Sequence, residues 1–337
     1  MVKAVRVLEP GLVVMVENER AALREGEVRL RVESVGVCGS DVALFAGKHP
    51  YAVYPVSPGH ELGAVVLEAA TGVTLHPGER VAVRPLLTCG ACRACREGRL
   101  NHCADVRVLG VHVDGGMSEE IVLPASLAFA LPNDTRGEAA AMIEPTAVAV
   151  HACHRAAIGR GSTVAILGTG IIGLLALQVA KAWGATAILA VDRVPKRLGL
   201  ALDLGASRAV DNRVESAAGV GRDLCPDGFD AVLELVGAES TLAEALDLAR
   251  RGGTVVLVAL PHGKAGFDFE PVYRKELTLC GTRLYADDFS EAVSLVTSGR
   301  VAVDPLITHR LPLHEVERAL TLPSEHPGEA IKVMLNP

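Results

Sequence analysis

The segment that most restricts the fold is 163–184. There a continuous apolar run, Thr163–Leu167, meets Gly168-Thr-Gly170-Ile-Ile-Gly173, and a helical pattern over Ile171–Trp183 closes at Gly184. A short run that is apolar at every position suits a strand buried on both faces, as in parallel sheets covered by helices. At such a strand-to-helix turn the first glycine permits the sharp bend. The second lets an anion approach the backbone, and the third lets helix and strand pack closely. Asp192 ends the next apolar run, nineteen residues past Gly173, where a carboxylate would accept hydrogen bonds from an adenosine ribose. The pattern predicts a dinucleotide site at Gly168, Gly170, Gly173 and Asp192. The charge of Asp192 opposes a 2′-phosphate, whereas Arg193 and Arg197 could pair with one. NAD is the expected cofactor, ahead of NADP.

The rhythm around this turn extends the argument. Thr186–Val191 reads as a strand, followed by a helix over Pro195–Leu204. Phe229–Val236 and Thr254–Leu260 read as strands around a helix, Thr241–Arg251, that stops at Gly252-Gly253. Alternating strands and helices give an α/β fold, a doubly wound parallel sheet. The first half differs: Val2–Leu8, Glu27–Val35, Leu62–Leu67 and Arg80–Arg84 are short, Val-rich runs bounded by Gly or Pro. They suggest a barrel or sandwich. With 337 residues, two domains are expected, the α/β one inserted near the end of the β-rich one. A net charge of −7 speaks against nucleic-acid or anionic-membrane partners. Met1–Pro10 has no hydrophobic signal region, and the glycines of 164–180 interrupt the most apolar stretch. A cytoplasmic chain without a membrane span is expected.

Eight cysteines are unevenly placed. Cys89-x2-Cys92-x2-Cys95-x7-Cys103 can fold around one ion, and Zn²⁺ accepts a closed shell of four thiolates. An iron–sulfur run of the bacterial ferredoxin type would space its last cysteine by three and follow it with proline; here the gap is seven and Ala104 follows. A full shell should hold a loop and perform no chemistry. Cys38-Gly-Ser40-Asp41 after a strand, and Gly59-His60-Glu61 before one, hold residue types that can ligate a second zinc with a position left open. Such an ion would lower the pKa of an alcohol oxygen as hydride leaves for nicotinamide, with Ser40 placed to relay the proton. Spacing alone does not separate these residues from a core cysteine and a structural histidine. His49 and His112 could face the substrate but read more readily as ordinary loop histidines, and Cys153, Cys225 and Cys280 read as buried free thiols.

The chain resembles the zinc-dependent medium-chain dehydrogenase/reductase family, in its sorbitol and polyol dehydrogenase branch. The resemblance is carried by Cys38-Gly-Ser-Asp41, Pro58-Gly-His-Glu61, the Cys89–Cys103 lobe, Glu144-Pro145 with Val150-His-Ala152, Gly168–Gly173 and Asp192. It implies a GroES-like catalytic domain over 1–148, with the zinc lobe at about 86–106. A Rossmann domain over 149–281 and a return to the catalytic domain over 282–337 complete the layout. It further implies two zinc ions per chain and a homodimer or homotetramer. Cys38, His60, Glu61 and Glu144 would serve the catalytic zinc, with Ser40 as proton relay. Ile172, Val258, Leu260 and Arg283 would join Gly168, Gly170, Gly173, Asp192, Arg193 and Arg197 at the cofactor. The implied substrate is a small alcohol: a polyol, sugar or sugar acid. Animal sorbitol dehydrogenases have Phe-Arg-Tyr where this chain has Arg283-Leu-Tyr285, a shift that on a strand would turn the arginine to the other face. Gly110-Val-His112 and Asp114-Gly-Gly116, with Arg283-Leu284, are closer to bacterial sugar-acid dehydrogenases such as the L-galactonate type. The competing expectations are a threonine dehydrogenase-like enzyme and a non-catalytic, zinc-stabilised dinucleotide-binding protein.

Overall fold

A computed structural model describes residues 1–260 and 266–337. The chain divides into two compact units. One comprises Met1–Glu144, Ala292–Thr297 and Val303–Pro337; the other comprises Pro145–Glu291 and Ser298–Ala302.

The first unit is β-rich. Its main sheet has the order Ile307–Pro312, Lys332–Asn336, Glu27–Val37, Glu61–Ala69, Arg80–Val83 and Ala128–Ala130, and Glu120–Pro124 also pairs with Glu27–Val37. Glu27–Val37 is the centre of this arrangement, and its burial is nearly continuous. Val28, Leu30, Val32, Val35, Leu62, Val81, Val83, Met117, Leu123 and Leu335 fill the core. Each such side chain contributes about 1.5–3 kcal/mol by leaving water. Register places Gly36 opposite Glu61 on one side and opposite Met334 on the other. That detail becomes decisive at the site.

The second unit is a six-stranded parallel sheet, ordered Arg208–Asp211, Ala187–Asp192, Thr163–Leu167, Phe229–Glu234, Ala249–Leu257 and Thr278–Gly281. This is the doubly wound order 3-2-1-4-5-6. Thr163–Leu167 is central and buried, and the helix Ile171–Ala182 follows it directly. The fold class matches the rhythm of the sequence.

Three local expectations differ from the structure. The helix expected over Thr241–Arg251 spans Glu239–Leu248, and the chain is already strand at Ala249, opposite Phe229. The next pair is Thr254 with Ala231, so Arg250–Gly253 forms an irregularity in the ladder. Gly252-Gly253 therefore marks a bulge and not a helix end. Arg283 lies beyond the strand Thr278–Gly281, and Leu284 has φ +53°, so strand alternation does not govern where the arginine points. Cys153 and Cys225 are buried, but Cys280 is only half-buried. Among the described residues, no helix is long and apolar enough to cross a membrane.

Candidate active site

The first constellation is assembled by the central strand of the β-rich unit. Glu27–Val37 ends at Cys38, which is extended (φ −96°, ψ 158°), and the short helix Gly39–Phe45 begins with Ser40 in its first turn. The buried Asp41 carboxylate accepts the backbone N–H of Cys38 at 2.9 Å and of Gly59 at 3.2 Å. It thereby ties the Cys38 turn to the segment that carries His60. Burial pushes the Asp41 carboxyl up, against the pull of His60 and these two donors.

Cys38, His60 and Glu61 present ligand atoms that all lie within 4.8 Å of one another. Ser40 Oγ is 3.4 Å from His60 Nε2. The other ring nitrogen, Nδ1, is buried without a hydrogen-bond partner, 3.6 Å from Asp41 Oδ1. A ligating histidine ordinarily turns its second nitrogen toward a carboxylate in this way. Burial alone would lower the His60 pKa, but Asp41, Cys38 and Glu144 outweigh it and hold the imidazole well above its ordinary value. Such concentrated negative potential and the mixed sulfur, nitrogen and oxygen donors suit a divalent zinc ion.

Lys332 is the residue that sequence reasoning missed. It opens the strand Lys332–Asn336, two strands away from Glu61, and it is 1% exposed. Its ammonium donates to both Glu61 oxygens, at 2.8 and 2.6 Å, and to the Val37 carbonyl at 3.1 Å. The Glu61 carboxylate reaches it across the central strand because Gly36 lies between. A Cβ on Gly36 would sit 1.9 Å from Glu61 Oε2. Burial disfavours the ammonium, but Glu61, Cys38 and Glu144 hold the Lys332 pKa above its ordinary value. Glu144, buried in the first turn of the helix Ile143–Arg155, lies outside the group of three and acts on it through its charge.

The cysteine lobe is a separate cradle. Its sulfurs stand 3.9 Å apart for Cys89 and Cys95, 3.5 Å for Cys92 and Cys95, and 3.6 Å for Cys89 and Cys103. A tetrahedron of sulfurs about 2.3 Å from a central zinc has edges of about 3.8 Å. The donors and their spacing therefore fit a closed thiolate site. Backbone N–H groups already point at the sulfurs, Cys92 N to Cys89 Sγ and Cys89 N to Cys103 Sγ. The Cys95 N–H is the largest of the influences that pull the Cys92 thiol down to about 6.

In the parallel-sheet unit, the dinucleotide candidates gather at the carboxyl ends of the strands, where open α/β sheets bind ligands. Gly168 turns with φ +100°, and a Cβ on Gly173 would meet the Gly168 carbonyl at 2.0 Å. Gly170 caps the helix Ile171–Ala182 without a side-chain bond, leaving the first N–H groups, beside Ile172, for an anion. Asp192 ends its strand and accepts four donors from its own chain: Thr169 N and Oγ1 at 2.7 and 2.9 Å, Arg193 N at 2.7 Å and Val194 N at 3.0 Å. Arg193 is exposed and Arg197 half-buried. Val258 and Leu260 follow the strand Ala249–Leu257, and Arg283, exposed, follows Thr278–Gly281.

Known proteins resemble the chain along both units. Residues 24–133 match the alcohol dehydrogenase GroES-like domain, and residues 172–298 match the zinc-binding dehydrogenase domain. The chain is 36% identical to an L-galactonate-5-dehydrogenase of Escherichia coli K12, over 90% of each protein. It is 35% identical to a sorbitol dehydrogenase of Arabidopsis thaliana, over 92% of this chain and 88% of that one. A zinc-binding dehydrogenase from Sinorhizobium meliloti 1021, solved with NADP, superposes with a TM-score of 0.93 at 33% identity, covering 100% of this chain and 99% of that one.

Proposed function

The chain belongs to the zinc-dependent medium-chain dehydrogenase/reductase family, and on that premise we propose that it oxidises a secondary alcohol of a polyol, sugar or sugar acid to the ketone. The balanced step is R₂CHOH + NAD(P)⁺ → R₂CO + NAD(P)H + H⁺. The observation that carries this reading is the buried group of Cys38, His60 and Glu61 with the Ser40 hydroxyl 3.4 Å from His60 Nε2. A zinc ion held by Cys38 and His60, with Glu61 or Glu144 as further donor, would supply Lewis-acid polarisation of the alcohol oxygen. Ser40 Oγ takes the alcohol proton and passes it on. Asp41 fixes the Cys38 and Gly59 backbones so that thiolate and imidazole stay in register. A second zinc in the Cys89, Cys92, Cys95 and Cys103 shell would stabilise its loop.

The helix N-terminus at Gly170–Gly173 would hold the pyrophosphate of a bound dinucleotide. NAD is the proposed cofactor. The four donors on Asp192 use the lone-pair positions a carboxylate offers, so what it presents to the adenosine ribose is chiefly negative charge. That charge disfavours a 2′-phosphate. The expected preference for NAD over NADP in kcat/KM is roughly tenfold or more, and Asp192→Asn should erode it.

A panel of alditols, aldonates and L-threonine, assayed with NAD and with NADP, tests the reading. Turnover of a polyol or sugar acid is expected, and Cys38→Ala should lower it by roughly 10³-fold or more, since metal polarisation supplies several kcal/mol. Turnover that Cys38→Ala leaves unchanged would overturn the proposal.

A further inference from the structure

The last turn of the helix Ile143–Arg155 is joined to the segment that follows the edge strand Thr278–Gly281 by a knot of side chains, all within the compact unit Pro145–Glu291. Asp288, 7% exposed, stands between two histidines one helical turn apart. Its Oδ2 is 2.9 Å from His151 Nδ1, and its Oδ1 is 2.7 Å from His154 Nδ1. Residues three apart share a helix face, which is why one carboxylate reaches both rings. The Ala286 N–H also donates to Asp288 Oδ2, at 2.8 Å. Beside them Arg155 Nε donates to the Gly281 carbonyl at 3.2 Å, and the Cys280 thiol donates to the Arg155 carbonyl at 3.7 Å.

His154 meets two carboxylates. While Nδ1 is on Asp288, Nε2 is 3.5 Å from Glu291 Oε2, an ion-pair distance. A neutral imidazole carries one N–H and one lone pair, and here that lone pair would face a carboxylate. Both nitrogens are satisfied only in the imidazolium. The ring also stacks on Trp183, with centroids 4.6 Å apart at 29°, and an indole face favours a cation. Trp183 caps the C-terminal end of the helix Ile171–Ala182, and its Nε1–H donates to Glu291 Oε1 at 2.9 Å, which holds that carboxylate in place. The charged groups that meet His154 are thus Asp288 and Glu291; on its own helix His151 shares Asp288, and Arg155 turns to Gly281. The hydrogen bond to Asp288 holds the His154 pKa above its ordinary value against burial, with the Asp288 and Glu291 charges adding to it. Burial opposes the Asp288 carboxylate, but the bonds from His151 and His154 keep its carboxyl well below the ordinary range. With its side chain 49% exposed, His154 exchanges protons with solvent.

We propose that His154, as an imidazolium, is a pH-sensitive clasp that pins Ala286–Glu291 to the ends of the helices Ile143–Arg155 and Ile171–Ala182, and that loss of its proton loosens that segment. The neutral ring keeps one N–H, which serves Asp288 or Glu291 but not both, and its lone pair then faces the other carboxylate. Because the folded-state pKa is raised, the clasp contributes its full stability below the ordinary imidazole value and loses it as pH rises through the folded one. The clasp is independent of the dehydrogenase reading, since none of its members is a proposed ligand of metal or cofactor.

The chain has one tryptophan, so its emission reports on this stack in the full-length protein. An imidazolium quenches a stacked indole more strongly than the neutral ring does. Emission of wild type should therefore rise with pH, with a midpoint above the ordinary imidazole value of about 6.5. Glu291→Gln, which keeps an acceptor for Trp183 Nε1, should move that midpoint down. His154→Phe, which keeps a ring on Trp183 and removes the titrating group, should abolish the step. Hydrogen exchange, corrected for its intrinsic pH dependence, reads the segment itself. Amides of Ala286–Glu291 should lose roughly two- to fivefold of their protection on crossing the midpoint, the size expected of a partly exposed ion pair. His154→Phe should show the lower protection on both sides of it. No emission step in wild type, a midpoint at or below the ordinary value, or protection that does not change across it would overturn the proposal.

Discussion

The two candidate zinc cradles are built on opposite principles. The lobe takes four identical donors from fifteen consecutive residues, on turns whose backbone N–H groups already face the sulfurs. The other cradle takes Cys38 from one segment and the adjacent His60 and Glu61 from another, and adds Asp41, Glu144 and Lys332 around them, all buried except the half-buried Cys38. In the lobe the hydrogen-bond partners of the sulfurs are backbone N–H groups and one another, with no ammonium among them within the described residues. In the buried cradle Glu61 already has a partner, because both of its oxygens are on Lys332. Any role of Glu61 toward a metal is therefore a balance between an ammonium and an ion. The lobe is suited to holding one state, and the buried cradle to changing its coordination.

That contrast can be broken experimentally. The largest stability effect is expected from Lys332→Met, which leaves the Glu61 carboxylate buried without its counter-charge; removing one partner of a buried pair costs about 3–5 kcal/mol. Urea denaturation of the zinc-free protein would read it, and adding Glu61→Gln should restore more than half of the loss. If Lys332→Met is as stable as wild type, the pair does not organise the cradle. Ser40→Ala should lower kcat by roughly 10²-fold without changing zinc content, as befits loss of a proton-transfer group. An unchanged kcat would remove Ser40 from the proton path. Gly36→Ala should cost about 1–3 kcal/mol by pushing a methyl group against Glu61 Oε2, 1.9 Å from where that methyl would stand. Glycine-to-alanine changes at Gly90 or Gly98 in the lobe, where a Cβ would meet nothing within 4 Å, lack that contact and should cost only the strain of a positive φ.

The same contrast explains what could be read from the sequence. The lobe and the glycine turn are local: donor identity, spacing and the adjoining strand and helix lie within one window. The parallel sheet followed from its alternating rhythm for the same reason. The buried cradle carries no such local signal. Cys38 and His60 were picked out through family resemblance, and Lys332 was not picked out at all. A lone lysine 271 positions from Glu61 becomes meaningful only when register sets both beside Gly36. The same limit applies to Arg250–Gly253, where paired glycines suit a helix end or a bulge equally until the partner strand is known.

The two cradles are proposed as distinct zinc sites, one chemical and one structural. Zinc per chain, measured by elemental analysis on wild type, Cys38→Ala and Cys92→Ser alongside turnover, addresses that proposal most directly. Two ions are expected in wild type and one in each variant. Cys38→Ala should lose turnover while keeping its thermal midpoint, whereas in Cys92→Ser the thermal midpoint should fall. A single zinc in wild type, untouched by Cys38→Ala, would contradict it.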